Sequence, residues 1–235
     1  MQLFYNETLE QNATQFEFDK NESKHIVRVL RKKEGDTLYI TNGNGFLFVG
    51  KITFANDKHC MVSIEEIIEK PKTWNYHLHL AVAPTKLNDR YEWFLEKAVE
   101  IGVDEITPII CDHSERKVIK KERMEKIILS AMKQSLKYTL PKLNDPIKLS
   151  QFLDNDFESQ KFIAHCEETE KVLLKNSLKE NKDTLILIGP EGDFSTKEIE
   201  KAISKNFKPV SLGNSRLRTE TAAVVACHSV SFFNE

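Results

Sequence analysis

Two short stretches hold the residue types from which a small-molecule site is built: LIGPEGDFS (187–195) and LGNSRLRTETA (212–222). In the first, an apolar run stops at a glycine–proline–carboxylate–glycine turn. Glycine at a strand end admits positive φ or lets main chain lie close to a ligand. Pro190 stiffens the turn by fixing its own φ, and Glu191 reads as an acceptor that ties it. In the second stretch Gly213 precedes two arginines, and Thr219, Glu220 and Thr221 supply helix-capping chemistry. No GxxxxGK[ST] phosphate loop is present. The first strand of this part of the chain ends in VAPTK, without the glycines of a dinucleotide fingerprint. A ligand held here is therefore not read through phosphates.

These loops need a sheet to position them. From residue 76 onward strands and helices alternate: strands at 77–83, 103–110, 161–166, 184–188 and 208–213, and helices through 88–100, 121–138, 169–179, 195–206 and 219–233. Asn88 or Asp89 is expected to cap the first helix and Gly102 to end it; Ser195 and Glu198 have capping-box spacing. Such alternation predicts an α/β fold with a mostly parallel sheet, whose ligands bind at the carboxyl ends of strands. Residues 1–70 read differently, as short β runs at 14–18, 36–43, 45–54 and 59–68 with one helix at 21–32. The NGNG between two of these runs is a hairpin signal. The expected organisation is a small β domain over 1–70, a linker at 69–74, and an α/β domain over 75–235.

The 235 residues carry a formal net charge of −2, so charge as a whole decides nothing about nucleic acid. The four cysteines are scattered without a CxxC pair, which predicts no metal. No run has the length of a membrane span and no leader pattern opens the chain, so a cytoplasmic protein is expected. Local charge is more telling. Lys20, Lys24, Arg28, Arg31, Lys32 and Lys33 face Glu22 alone in one stretch, and nine cations face three acids across 113–142. Two basic patches on an acidic chain suit phosphate contacts, which give affinity and salt dependence more than sequence choice.

The ordered series HIVRVLR (25–31), EWFLEKAVEIGVDEITPI (92–109), SERK (114–117), SAMKQSLKYTLPKL (130–143), LIGPEGDFSTKEIE (187–200) and SLGNSRLRTETA (211–222) resembles the RsmE family of ribosomal RNA methyltransferases, of the SPOUT class. The resemblance covers nearly the whole chain. It implies a PUA-like RNA-binding β-barrel followed by an α/β domain whose last segment threads a trefoil knot, an exception to the rule against threaded chains. It implies S-adenosyl-L-methionine (SAM) as cofactor, a homodimer, and methylation of N3 of a uridine in 16S ribosomal RNA of the small subunit. The expected cofactor residues are His165, Ile188, Gly189, Pro190, Glu191, Gly192, Leu212, Gly213, Leu217, Arg218, Thr219, Thr221 and Ala222. The expected RNA contacts are Lys24, His25, Arg28, Arg31, Arg116, Lys117, Lys133, Gln134 and Lys137. The family pattern has glycine where Asp193 stands and often arginine at Lys137.

Methylation at N3 requires a base out of its stack and loss of the imide proton. Arg218 is the candidate cation for the resulting charge, and Glu220 the candidate base. Valine at Gly189 is expected to abolish SAM binding and to leave the fold largely intact. Two other readings remain at this point: a SPOUT methyltransferase with another RNA target, and a non-catalytic RNA-binding assembly factor.

Overall fold

The computed structural model describes residues 1–168 and 170–235. The chain divides into two compact units: Met1–Thr73 with Met132–Leu140, and Trp74–Ala131 with Pro141–Glu235. A linear division near residue 70 does not contain the return of 132–140 to the first unit.

The first unit contains β1 (Leu3–Tyr5), β2 (Gln15–Glu17), α1 (Lys20–Lys24), a π-helical turn (His25–Val29), β3 (Thr37–Thr41), β4 (Phe46–Ala55) and β5 (Cys60–Glu69). The sheet order is β1-β3-β4-β5-β2, antiparallel except for β1 beside β3. NGNG is a hairpin turn, with Gly43 and Gly45 at φ 77° and 83°. The helix expected over 21–32 is shorter. Asp19 caps α1 through bonds from Asn21 N and Glu22 N, the π turn follows, and Arg31 at φ 56° ends the helical path. Arg28 and Arg31 therefore do not project from one regular helix.

The second unit contains β6 (Leu78–Val82), α2 (Asn88–Ile101), β7 (Glu105–Ile110), most of α3 (Lys121–Gln134), β8 (Lys142–Leu143), β9 (Ile147–Lys148), α4 (Leu149–Phe152) and β10 (Gln160–Ala164). It continues with β11 (Val172–Leu173), α5 (Leu174–Ser177), β12 (Thr184–Ile188), α6 (Thr196–Ser204), β13 (Lys208–Ser211) and α7 (Thr219–Phe233). The strand order is β11-β13-β10-β12-β6-β7-β8, all parallel, with β9 also beside β7. The central strands β6 and β12 are buried along their whole length, as a parallel sheet covered on both faces requires. One core joins Leu149, Phe152, Ile163, Leu187, Phe194, Ile199 and Phe207. Gly102 closes α2 at φ 134°, but its N-cap is Leu87, without the side-chain cap expected from Asn88 or Asp89. Of the helix expected over 169–179 only α5 forms; residue 169 lies outside the described residues.

The sheet also buries a titratable network. His79 on β6 pairs with Thr107 Oγ1 (2.7 Å), and Phe152 and Phe157 meet its ring edge-on. Burial pushes its pKa down from 6.5 to about 4, against the pull of Glu105; the charges of His77 and Lys142 add to the lowering. The unfolded chain therefore gains this proton near pH 6.5 while the folded chain refuses it until about 4. Stability is full above pH 6.5 and falls as the pH drops through that window, by at most about 3 kcal/mol. Urea midpoints at pH 7.5 and 5 are expected to show this loss. His79→Gln is expected to flatten it.

Candidate active site

The two glycine-bearing loops meet at the carboxyl ends of β10, β12 and β13, where an open parallel sheet presents its ligand site. They enclose a cleft with two lobes. The larger, of about 410 Å³, is lined by Ala164, His165, Cys166, Lys171 and the run Val210–Leu217; the smaller, of about 280 Å³, by Ile188–Glu191, Asp193 and Arg216–Thr219. Ala164, Cys166, Arg216, Leu217 and Ala222 border both. The larger lobe alone falls in the range of ordinary small-molecule sites, ~300–1,000 Å³.

The glycines of the first loop do not supply positive φ. A Cβ on Gly189 would lie 3.0 Å from the Phe194 ring, and one on Gly192 would lie 3.1 Å from His113 Cβ. These residues are glycine because the turn is packed against its neighbours. The left-handed residue is Asp193, at φ 63°, a conformation that aspartate tolerates better than most side chains. Its Oδ2 accepts from Cys166 N (2.7 Å), and its Oδ1 accepts from Phe194 N (2.9 Å). The carboxylate thus ties the end of β10 to the turn after β12. His113 Nδ1 donates to Gly192 O and Asp193 O, and Glu191 Oε1 accepts from Lys86 N (2.9 Å). Glu191 is the tie that the sequence indicates. Ser195 and Glu198 form the expected capping box at the start of α6.

In the second loop Gly213 takes φ 136° with open space around its missing Cβ. Arg218 is exposed and is the N-cap of α7, with no side-chain capping bond, so the cap expected from Thr219 to Thr221 does not form. Thr219 and Ala222 reach the cleft; Gly192 and Thr221 are not among its lining residues. Glu220 borders neither lobe. It is buried, with Oε1 3.8 Å from Arg90 Nε and Oε2 without a hydrogen-bond partner among the described residues. A base must reach the proton it removes, and Glu220 lines no part of the cleft.

His165 is 7% exposed, and neither ring nitrogen has a partner among the described residues. Burial, with the charge of Lys171, lowers its pKa, so the neutral ring offers one donor and one acceptor to a cleft occupant. A buried imidazole without partners carries a desolvation penalty unless a ligand satisfies it. Apolar Ile188, Leu212, Leu217 and Ala222, close main chain and an orphaned imidazole fit an adenosine-type cofactor. Among the described residues no group of three His, Cys, Asp or Glu side chains is arranged to hold a metal ion.

A model described as RNA methyltransferase domain matches residues 49–231, and one described as RNA methyltransferase PUA domain matches residues 18–65. The ribosomal RNA small subunit methyltransferase E of Buchnera aphidicola subsp. Acyrthosiphon pisum is 34% identical over 92% of this chain and 87% of its own. The chain belongs to the RsmE family of RNA methyltransferases. A probable rRNA-methyltransferase from Porphyromonas gingivalis shares 43% identity and a TM-score of 0.90 over 99% of both chains. A methyltransferase from Legionella pneumophila, solved with bound SAM, shares 30% identity and a TM-score of 0.86 over 97% of this chain and 96% of its own.

The Asp193 bridge explains how this turn closes. Asp193→Ala removes two charge-assisted bonds and leaves a strained φ. A loss of about 2–3 kcal/mol is expected in urea denaturation, with SAM affinity down by at least about tenfold by calorimetry. Asp193→Asn, which keeps the left-handed preference and one acceptor, is expected to lose less of both.

The residues expected at RNA differ in availability. Arg28 pairs with Asp57 (2.8 Å), and Lys133 pairs with Glu22 (3.4 Å). Half-buried His25 lies 3.4 Å from Gln2 through its Nε2, Lys137 is half-buried, and Lys24, Arg31 and Gln134 are exposed; all of these belong to the first unit. In the second unit Lys117 is exposed. Arg116 instead donates from Nε and Nη2 to the carbonyls of Thr85 and Lys86, so it braces the loop after β6 rather than standing free for phosphate.

Proposed function

We propose that this protein transfers the methyl group of SAM to N3 of a uridine in 16S ribosomal RNA of the small subunit. The observation that carries the reading is the cleft: two strand-end loops of an RsmE-family chain around an orphaned buried imidazole. The small-subunit relatives and the SAM held by the Legionella homologue support the substrate and the cofactor.

Main chain and apolar side chains of Ile188–Glu191 and Leu212–Ala222 would hold the cofactor, with His165 bonding its polar edge. Bound there, SAM supplies an electrophilic methyl on a positive sulfonium. The uridine enters extruded from its stack. Loss of its N3 proton spreads negative charge onto O2 and O4. Arg218, exposed at the smaller lobe, stabilises that charge as it forms. Glu220 stays beside Arg90 and lines no part of the cleft, so in this reading the N3 proton passes to a solvent water or hydroxide that enters with the uridine. Exposed cations of the first unit, Lys24 and Arg31 among them, hold the RNA backbone.

The same reading includes a closed β-barrel in the first unit, a knotted path for the last segment, a cytoplasmic setting and a homodimer. The exposed apolar residues Trp93 on α2 and Phe232 on α7 support an interface between copies. Light scattering giving a monomer mass would remove the dimer.

The test is methyl transfer from labelled SAM to small subunits that lack their native methylation, followed by reverse transcription. Label with a single strong stop beside one uridine is expected, because a methyl at N3 blocks pairing. No label in subunits or free 16S RNA, with SAM still bound, would overturn this target.

A further inference from the structure

The segment that closes the cofactor cleft continues into a second cavity on the same edge of the sheet. This one, of about 480 Å³, opens at the end of β7 and is bordered by Lys117, Lys148, Lys197 and Lys201. The four lysines come from three separate stretches: the loop after β7, the end of β9, and the first two turns of α6. Lys201 is committed, donating to Ser150 O (2.7 Å) and pairing with Asp154 (2.8 Å). The side chains of Lys117, Lys148 and Lys197 have no hydrogen-bond or ion-pair partner among the described residues.

Two carboxylates also border the cavity, and both are turned to the helix cap. Asp112 Oδ2 accepts from Ser195 Oγ (2.7 Å), and Glu198 accepts from Asp112 N (2.9 Å) and Ser195 N (2.8 Å). Those bonds hold both carboxylates at the cap without pairing either with a lysine, and the three lysines outnumber the two acids on the lining. The N-terminal end of α6 adds a positive field in the same place.

We propose that this cavity binds phosphodiester groups of the RNA substrate beside the methylated nucleotide. The inference rests on the RNA methyltransferase reading and extends it to a phosphate site apart from the cofactor cleft. Lysines are point charges that attract phosphate without demanding one geometry. The apolar lining is Ile110, Cys111 and Leu153 with no aromatic platform, so the site offers nothing to stack a base. It reads charge and leaves sequence choice to other contacts. The turn 189–195 borders the cofactor cleft on one side, and α6 continues from it to this cavity on the other. Phosphates gripped here are therefore held against the element that shapes the cofactor site.

The test compares the full-length parent with Lys148→Ala/Lys197→Ala and Lys148→Arg/Lys197→Arg, using a labelled fragment of 16S RNA between about 50 and 200 mM salt. The alanine pair is expected to bind RNA on the order of tenfold more weakly at the low-salt end. Its log–log salt slope should fall by about 1 per lysine removed. The arginine pair should keep the parental affinity. SAM affinity, read by calorimetry, should match the parent in both and certifies the fold. Unchanged RNA affinity and slope in the alanine pair would overturn the proposal, as would an arginine pair as weak as the alanine pair. A parent that binds SAM but no RNA would overturn the reading beneath it as well. Pyrophosphate provides the last arm. If the parent binds it, the alanine pair does not, and RNA affinity is the same in both, the cavity belongs to a free anion and the RNA assignment falls.

Discussion

Gly189→Val is expected to unfold much of the second unit rather than to produce a folded protein that has lost its cofactor. An added Cβ would lie 3.0 Å from Cδ2 and Cε2 of Phe194 and 3.3 Å from the Phe194 backbone nitrogen. Phe194 is 2% exposed and packs with Leu187, Ile199, Ala202 and Phe207, so its ring has nowhere to go. Inserting one carbon into such a core costs about 1–3 kcal/mol, and valine brings three. The loss should reach ~3 kcal/mol or more, a large part of the ~5–15 kcal/mol that holds a typical domain. A shifted urea midpoint with reduced soluble yield is the expected result. A parental midpoint would show that the turn has slack that its packing does not reveal. The cleft itself is better tested at Ala222, which borders both lobes and is half-buried. Ala222→Leu is expected to abolish calorimetric SAM binding while moving the melting temperature by only a few degrees.

Arg218→Gln is expected to lower kcat by about 10²–10³-fold, the usual effect of removing a preorganised donor from a developing anion. SAM affinity should change little, because the proposed partner of the guanidinium is the uracil. The distinguishing readout is the pH profile of kcat. A fixed cation favours the deprotonated imide, so without it the rise in rate should move to higher pH. Arg218→Lys should recover part of the rate and part of the shift. A drop in kcat with an unmoved profile would leave Arg218 a structural role at the start of α7.

Much of the α/β frame was legible because its signals are local. TLILI is β12 residue for residue, the Ser195–Glu198 spacing is the capping box of α6, and 219–233 is α7. The two-residue strands β8, β9 and β11 were not legible, since so short a stretch has no periodicity; they exist only by pairing with neighbours. The site was legible in its loops and less so in its roles. Asp193 reads only as a residue standing in for a glycine, because its bridge to Cys166 N needs two strand ends that sequence separates by 27 positions. Arg116 and Glu220 read as free functional groups because charge alone does not reveal a partner. The carbonyls of Thr85 and Lys86 and the guanidinium of Arg90 are supplied by the fold.

The return of residues 132–140 gives the first unit a late-arriving part. Gly45 N donates to Tyr138 O (2.8 Å), and Leu140 N donates to Gly43 O (2.8 Å), with Thr139 bridging Asn44. On the translating ribosome, residues 1–73 emerge first and their sheet has its own strands. The turn at 42–45 keeps an unpaired donor and acceptor until Leu140 has been added, which takes several seconds at elongation rates of ~5–20 residues per second. A nascent chain arrested between Thr73 and Met132 therefore carries an open pairing edge in its turn, the kind of surface that chaperones and quality-control proteases find.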